Sequence, residues 1–363
     1  MLSDKYRFRE LTPSETDLES YGAIFARNGA RRDMDILRWR FRDSLTENNL
    51  MLLLEDGSTA PAQGAAFYAA LGFPFRVEGQ QSKCVFVLDA LTDKDHRRQG
   101  LFTKTVEECY RIVSNRNNKF LYGFPNPNTR DAYERHLAWV MLDPMPFVIR
   151  PMRTGYFLNA ILGRLGFERK VPRWLDFQLG RFELPQETGI ELRPLTEFGD
   201  DHDRLWSAFS KSIRVGVERN AAYMNWRVFG HPHAKYRALG VWRAGKLAAE
   251  VVWCIEKKHG GSIGYIIELL HLPDDHAAGI AALRGALSHL NAEGAEAVSV
   301  STDLEPFDRW PTEGPSCGAA RSTRARAADD RSGPGHPLQG RRRACVQGPR
   351  LHRRAGHPPA GRR

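Results

Sequence analysis

Short apolar runs alternate with helical periodicities along this chain, and the series occurs twice. In the first half, Leu50-Met51-Leu52-Leu53-Leu54 and Gly64-Ala65-Ala66-Phe67-Tyr68-Ala69 read as strands around a turn at Glu55-Asp56-Gly57, and Cys84 to Ala90 reads as a buried strand. A helical period from Leu101 to Val113 follows, then a short strand, Phe120-Leu121-Tyr122-Gly123-Phe124, that ends at a proline. In the second half, Tyr236 to Trp242, Leu247 to Trp253, Ser262 to Leu270, Ala277 to Leu290 and Ala297 to Val300 play the same parts in the same order. An internal echo supports the repeat: Ile36-Leu37-Arg38-Trp39-Arg40-Phe41 matches Tyr223-Met224-Asn225-Trp226-Arg227-Val228, with a Trp-Arg pair recurring 187 residues later. Two α/β domains of one design are implied, over 1–150 and 189–311. Between them, 151–188 reads as a helical connector around Phe157-Leu158-Asn159-Ala160-Ile161-Leu162. A membrane-touching helix is the alternative there, but the sequence shows no clearly segregated face.

Composition changes this picture at one end. With 42% hydrophobic residues, a chain of 363 can fill two cores. Residues 312–363, however, hold twelve Arg, no Lys and three acids, and no Ile, Phe, Tyr, Trp or Met. Such a segment cannot build a core and reads as a disordered Arg/Ala/Gly/Pro-rich tail, the bias of a GC-rich frame translated out of register. A frameshifted tail would also deprive the second domain of its last strands and leave an open sheet edge. The formal charge of +10 is concentrated in this tail, which leaves 41 basic and 40 acidic residues for positions 1–311. A nucleic-acid-binding body is therefore not expected. No run of 18 apolar residues and no secretory leader occur, so the expectation is a cytoplasmic protein with no membrane span. Five cysteines without CxxC spacing imply buried reduced thiols, with no zinc site and no disulfide framework.

The candidate chemistry lies at His96-Arg97-Arg98-Gln99-Gly100-Leu101-Phe102. A helix entered from a buried strand presents unpaired N–H groups and the positive end of its dipole, a seat for phosphate. Gly100 permits close backbone approach, and Arg97 and Arg98 add charge. The plain alternative is a strand-to-helix turn with solvated arginines; His96 is expected to face solvent.

The segment resembles the GNAT N-acetyltransferase superfamily, whose signature Q/R-x-x-G-x-G/A stands at this junction and is matched by Arg97-x-x-Gly100-x-Phe102. Phe102 departs from the small residue usual at the last position. The resemblance covers most of the first domain by motif, and the second by topology and the Trp-Arg echo. It implies two tandem GNAT-like domains, each a mixed, mostly antiparallel central sheet flanked by helices, with a splayed parallel strand pair that takes acetyl-CoA as co-substrate. On that resemblance, Leu91, Arg97, Arg98, Gln99, Gly100, Leu101, Phe102, Asn126 and Asn128 would hold the cofactor. Asp89 would be the base and Tyr133 the acid. Structural roles compete for each: a strand-end hydrogen bond for Asp89, Asx turns for the asparagines, and packing for Trp39-Arg40 and Trp226-Arg227. The second junction, Pro273-Asp274-Asp275-His276-Ala277-Ala278-Gly279, has acids where phosphate would lie and should bind anions poorly. The expected reaction is acetyl transfer to a primary amine of a small molecule or amino sugar. Fem-like aminoacyl transfer and an inactive CoA-binding module are the alternatives.

Overall fold

The computed structural model describes residues 3–137, 139–142, 147–166, 171–184, 188–258, 261–301 and 345–347. The first half runs β1 (Tyr6–Glu10), α1 (Glu15–Arg27), α2 (Met34–Leu37), β2 (Leu50–Asp56), β3 (Gln63–Val77), β4 (Gln80–Thr92), α3 (Leu101–Asn115), β5 (Leu121–Gly123), α4 (Pro127–His136) and β6 (Val140–Met141). Then come β7 (Phe147–Pro151), α5 (Thr154–Arg164), β8 (Ile190–Leu195), α6 (Asp200–Phe209), β9 (Val215–Val217), α7 (Ala221–Met224), β10 (Arg237–Arg243), β11 (Lys246–Lys258), β12 (Gly261–His271), α8 (His276–Ala292), β13 (Ala297–Ser301) and β14 (Cys345–Gln347).

Each sheet is a middle layer. Leu50 and Leu52 of β2 pack with Val106, Cys109 and Val113 of α3, while Met51 and Leu53 pack with Leu18, Tyr21, Ile24 and Phe25 of α1. This is why β2 is apolar without alternation: both of its faces are covered. α1 starts where the Ser14 hydroxyl accepts from the Asp17 N–H, and its apolar positions fall on one face. The second sheet is layered in the same way, with α8 on one side and α6 and α7 on the other. The thiols of Cys84, Cys109 and Cys254 are buried and free, and burial pushes Cys84 up to about 12.

β3 and β4 form one long hairpin, paired from Ala66–Thr92 to Val77–Gln80 and turned at Glu78-Gly79, where both φ angles are positive. The hydrophobic pattern ends these strands early because Gly72 and Pro74 interrupt it. Gly72 is there for space, since a Cβ would come within 2.7 Å of Asn48.

The halves exchange strands. β7 leaves the first half and pairs antiparallel with β13, so the second sheet runs β7-β13-β12-β11-β10-β8 and has no open edge beside β13, contrary to the expectation from a frameshifted tail. β9 pairs with the far end of β3, where Glu218 takes both Arg76 nitrogens at 3.0 and 3.2 Å. The tail, expected to be disordered, contributes β14, which lies between β5 and β6 and hydrogen-bonds to both; its other residues lie outside the described ones. Main-chain pairing explains how a segment with no core-forming composition can occupy this slot: the donors and acceptors on β5 and β6 require extended backbone and no particular side chain.

The Trp-Arg echo also joins the halves. Each copy sits on a π-helical turn, Arg38–Arg42 after α2 and Asn225–Phe229 after α7. Trp39 and Trp226 stack at 4.5 Å and 14°, and each indole N–H donates to the other's main-chain carbonyl, at 3.0 and 3.2 Å. His231 packs on Trp39, and its pKa falls to about 4 through desolvation and the nearby Arg227 and Arg40, so it is neutral there.

Candidate active site

β4 and β5 are parallel and paired only over Val85–Val87 and Leu121–Gly123, while β4 continues to Thr92. Ala69 of β3 faces Asp89 and Ala70 faces Val87, which makes Leu88 a bulged residue. Bulges turn a strand away from its neighbour. From Leu88 onward the edge of β4 that faces β5 has no strand beside it among the described residues, so its backbone donors and acceptors line an open wedge.

The chain leaving the wedge is anchored before it reaches α3. Asp93 is buried; its carboxylate takes Arg27 and Asn28 at 2.7 Å and the Asp95 N–H at 3.0 Å. Arg98 and Gly100 adopt positive φ, 62° and 73°, and residues 97–100 are exposed. Gly100 caps α3 without a side chain, so the first N–H groups of that helix meet no side-chain acceptor at the cap. His96, expected in solvent, is buried. Its Nδ1 lies 3.0 Å from the Tyr6 hydroxyl, which donates to Gln99 Oε1 at 2.9 Å, and 3.9 Å from Asp56. The hydrophobic pattern could not show this, because the burial comes from partners on β1 and β2. Tyr6→Phe removes the hydroxyl that holds the loop from beneath and is expected to lower stability by about 0.5–1.5 kcal/mol. Urea titration would measure it, and an unchanged midpoint would show that the loop holds its shape without Tyr6.

The second half repeats the wedge but not the uncapped helix start. β12 and β13 are parallel over Ile263–Tyr265 and Ala297–Ser299, and β12 carries its bulge at Ile267, because Val252 faces Glu268 and Trp253 faces Ile266. At its exit, however, Asp275 caps α8, accepting from the Ala278 N–H at 3.0 Å, and pairs with Arg243 at 2.9 Å. A carboxylate occupies the place that an anion would take.

The sequence matches no family model and no curated protein. Solved structures do match. A GCN5-related N-acetyltransferase from Anabaena variabilis ATCC 29413 is similar over 94% of this chain and 72% of its own, with a TM-score of 0.58 at 10% identity. A probable N-acyltransferase from Enterococcus faecalis V583 matches over 83% and 67% with a TM-score of 0.56 at 10% identity. Saccharomyces cerevisiae N-myristoyltransferase with bound myristoyl-CoA matches over 85% and 79% with a TM-score of 0.52 at 12% identity. The chain has the GNAT fold.

In this GNAT frame the candidate residues divide by sheet face. Asp89 lies on the α1 and α2 side. Its carboxylate takes Arg32 through two bonds, Nε to Oδ2 at 3.0 Å and Nη2 to Oδ1 at 2.8 Å, and the Tyr21 hydroxyl donates to Oδ2 at 2.5 Å. Burial and the Asp89 charge raise the Tyr21 pKa well above its usual value, so Tyr21 remains a donor. Tyr133 lies on the α3 side, buried, with its hydroxyl 3.2 Å from that of Tyr68, whose strand partner is Ala90 in the wedge. Phe102, the departure from the GNAT signature, meets the edge of Tyr133 at 5.9 Å, and Leu101 is buried beneath the seat. Leu91 is half-buried on the free edge of β4. Asn126 caps α4, with its side-chain oxygen accepting from the Thr129 N–H at 3.0 Å; Asn128 lies in that helix, and its side chain is outside the described residues.

Sequence reasoning missed Arg32, Tyr21 and Tyr6. Arg32 was within reach, because the offset of 187 that pairs Trp39 with Trp226 also pairs Arg32 with Arg219 and the helix-capping Asp33 with Asn220. Arg219 holds Glu268 at 2.8 Å on both carboxylate oxygens, just past the second bulge, as Arg32 holds Asp89 past the first. The arginine-carboxylate pair is thus a device of both halves, including the half whose helix start is closed by Asp275, and it ties the α1–α2 or α6–α7 side to the bulged strand.

Proposed function

We propose that this protein is an N-acyltransferase that moves the acetyl group of acetyl-CoA to a primary amine on a small molecule or amino sugar. The observation that carries the reading is the difference between the two helix starts: α3 begins uncapped at the mouth of the wedge beside Arg97 and Arg98, whereas α8 is closed by Asp275. The likeness to acyltransferases of the GNAT fold supports the same reading.

The pyrophosphate would lie against the Gln99-Gly100-Leu101-Phe102 backbone with the two arginines about it. The pantetheine arm would hydrogen-bond to the free edge of β4 near Ala90 and Leu91, with Asn126 and Asn128 on the far side. The amine nitrogen attacks the thioester carbon, the C–S bond breaks, the nitrogen gives up a proton, and the departing thiolate takes one. A thioester threaded through the wedge shows one side to Asp89 and the other to Tyr133. Asp89 retains one carboxylate lone-pair position, on Oδ1, beyond those used by Arg32 and Tyr21 among the described residues. It would take the amine proton as base through that position, while Tyr133 supplies the proton to sulfur. The Arg97→Ala, Arg98→Ala double variant is expected to weaken acetyl-CoA binding tenfold or more, about 1.4 kcal/mol, in titration calorimetry. Binding that does not weaken would remove the pyrophosphate from this loop, and with it the reading.

A further inference from the structure

The Trp-Arg echo brings two arginines to the place where the halves meet, and neither is matched by an acid. Arg40 follows Trp39 and is half-buried, yet among the described residues it has no hydrogen bond and no ion pair. The arginines on either side of it are satisfied: Arg38 pairs with Glu15 and Asp35, and Arg42 with Glu15 and Asp43. Arg227, the matching residue of the second half, donates to the Tyr236 hydroxyl at 2.9 Å and lies over its ring. Both arginines bear on His231, which packs on Trp39 at 4.5 Å and meets Tyr236 edge-on at 5.8 Å. Burial and the charges of Arg227 and Arg40 hold that imidazole down to about 4, so it adds no charge, and no acid among the described residues offsets the two guanidinium groups there. A partly buried, permanently charged group without a counter-ion is costly.

This positive pair lies on the side of the first sheet where Asp89 stands. Arg40 acts on Tyr21, whose hydroxyl donates to Asp89, and Arg227 acts on Tyr223, whose ring meets Phe73 of β3 at 5.9 Å. Burial and the nearby Tyr223 raise the pKa of Tyr122 on β5, so these two tyrosines are neighbours across the halves. Neither of their hydroxyls makes a hydrogen bond among the described residues. We propose that the amine acceptor carries a phosphate group, which Arg40 and Arg227 take, while Tyr122 and Tyr223 offer their hydroxyls and rings to the rest of the molecule. A phosphate ester brings up to two negative charges and several acceptor oxygens, which suits two guanidinium groups better than the single charge of a carboxylate does. The amine end of this inference rests on the acyltransferase reading. The phosphate end rests on the arginines alone.

The test is calorimetric titration of the full chain, in the absence of acetyl-CoA, with glucosamine, glucosamine 6-phosphate and glucosamine 1-phosphate. At least one of the phosphates is expected to bind about tenfold or more tighter than glucosamine, and Arg40→Gln to abolish that preference. Because Arg40 has no partner to lose among the described residues, its replacement should not lower the urea midpoint; if it does, Arg227→Gln is read in its place. The Arg97→Ala, Arg98→Ala variant should keep the preference. Equal binding of the three sugars, binding of none, or a preference that survives the substitution overturns the proposal. So does a preference that disappears with Arg97 and Arg98, because the phosphate then sits at the head of α3. A protein that prefers the phosphate yet fails to bind acetyl-CoA in a separate titration keeps this site and loses the acyltransferase reading.

Discussion

Replacing Trp39 by alanine is expected to destabilise the protein by about 3–5 kcal/mol, the cost of deleting a buried indole, although Trp39 belongs to neither sheet. The ring is 7% exposed, stacks on Trp226 and is joined to it by two reciprocal hydrogen bonds. Trp226→Ala removes the same contact from the other side. The double variant should therefore cost clearly less than the two singles together, as residues that share one interaction do. Urea titration of the three variants measures the coupling, and full additivity would mean that the rings pack independently. Function should suffer as well, because Trp226 and Tyr223 lie 5.9 Å from Phe73 of β3, on the side of the sheet that holds Asp89. On the reaction proposed above, a lower unfolding midpoint together with a raised KM for the amine is the expected pair of effects.

His202→Leu should cost as much, and the cost should depend on pH. His202 and Glu250 are 1% and 0% exposed and 2.7 Å apart, and the other ring nitrogen of His202 donates to the Arg219 carbonyl at 2.7 Å. Both pKa values lie above their ordinary positions, against the pull of desolvation for His202 and chiefly because of it for Glu250. The folded pair therefore holds protons that the unfolded chain has released. Its stabilisation is complete at low pH and is lost as pH rises through the raised folded values, beginning near the usual carboxylate range for Glu250 and above 6.5 for His202. Without His202, Glu250 is buried with no cation, a loss of about 3–5 kcal/mol when it is charged and less when it is protonated. Denaturation of the wild type at pH 5 and pH 8 should show the lower stability at pH 8, and equal stabilities would mean that the folded pair releases its protons as the unfolded chain does.

The legible part of this molecule is what depends on one segment at a time. Strand and helix positions from Leu50 to Leu290 followed from periodicity, and the GNAT-like junction followed from Arg97, Gly100 and the run before them. What stayed hidden depends on pairs. Nothing local in Phe147–Pro151 says that it hydrogen-bonds to β13, because a strand's alternation fixes its faces and not its neighbour. Asp89 could be placed beside the wedge from sequence, but its engagement by Arg32 and Tyr21 is a matter of distance across 57 and 68 residues. His96 was misjudged for the same reason, since its partners Tyr6 and Asp56 come from the start of the chain.

The crossed strands bear on how the molecule is made. A ribosome finishes β5 and β6 early, yet the slot between them is filled by residues 345–347. The half synthesised first is consequently the half completed last. Through most of translation its two inner edges stand open to any extended chain nearby. β7, by contrast, is already waiting when β13 emerges, so the later half can close as soon as it is spoken for by its own sequence.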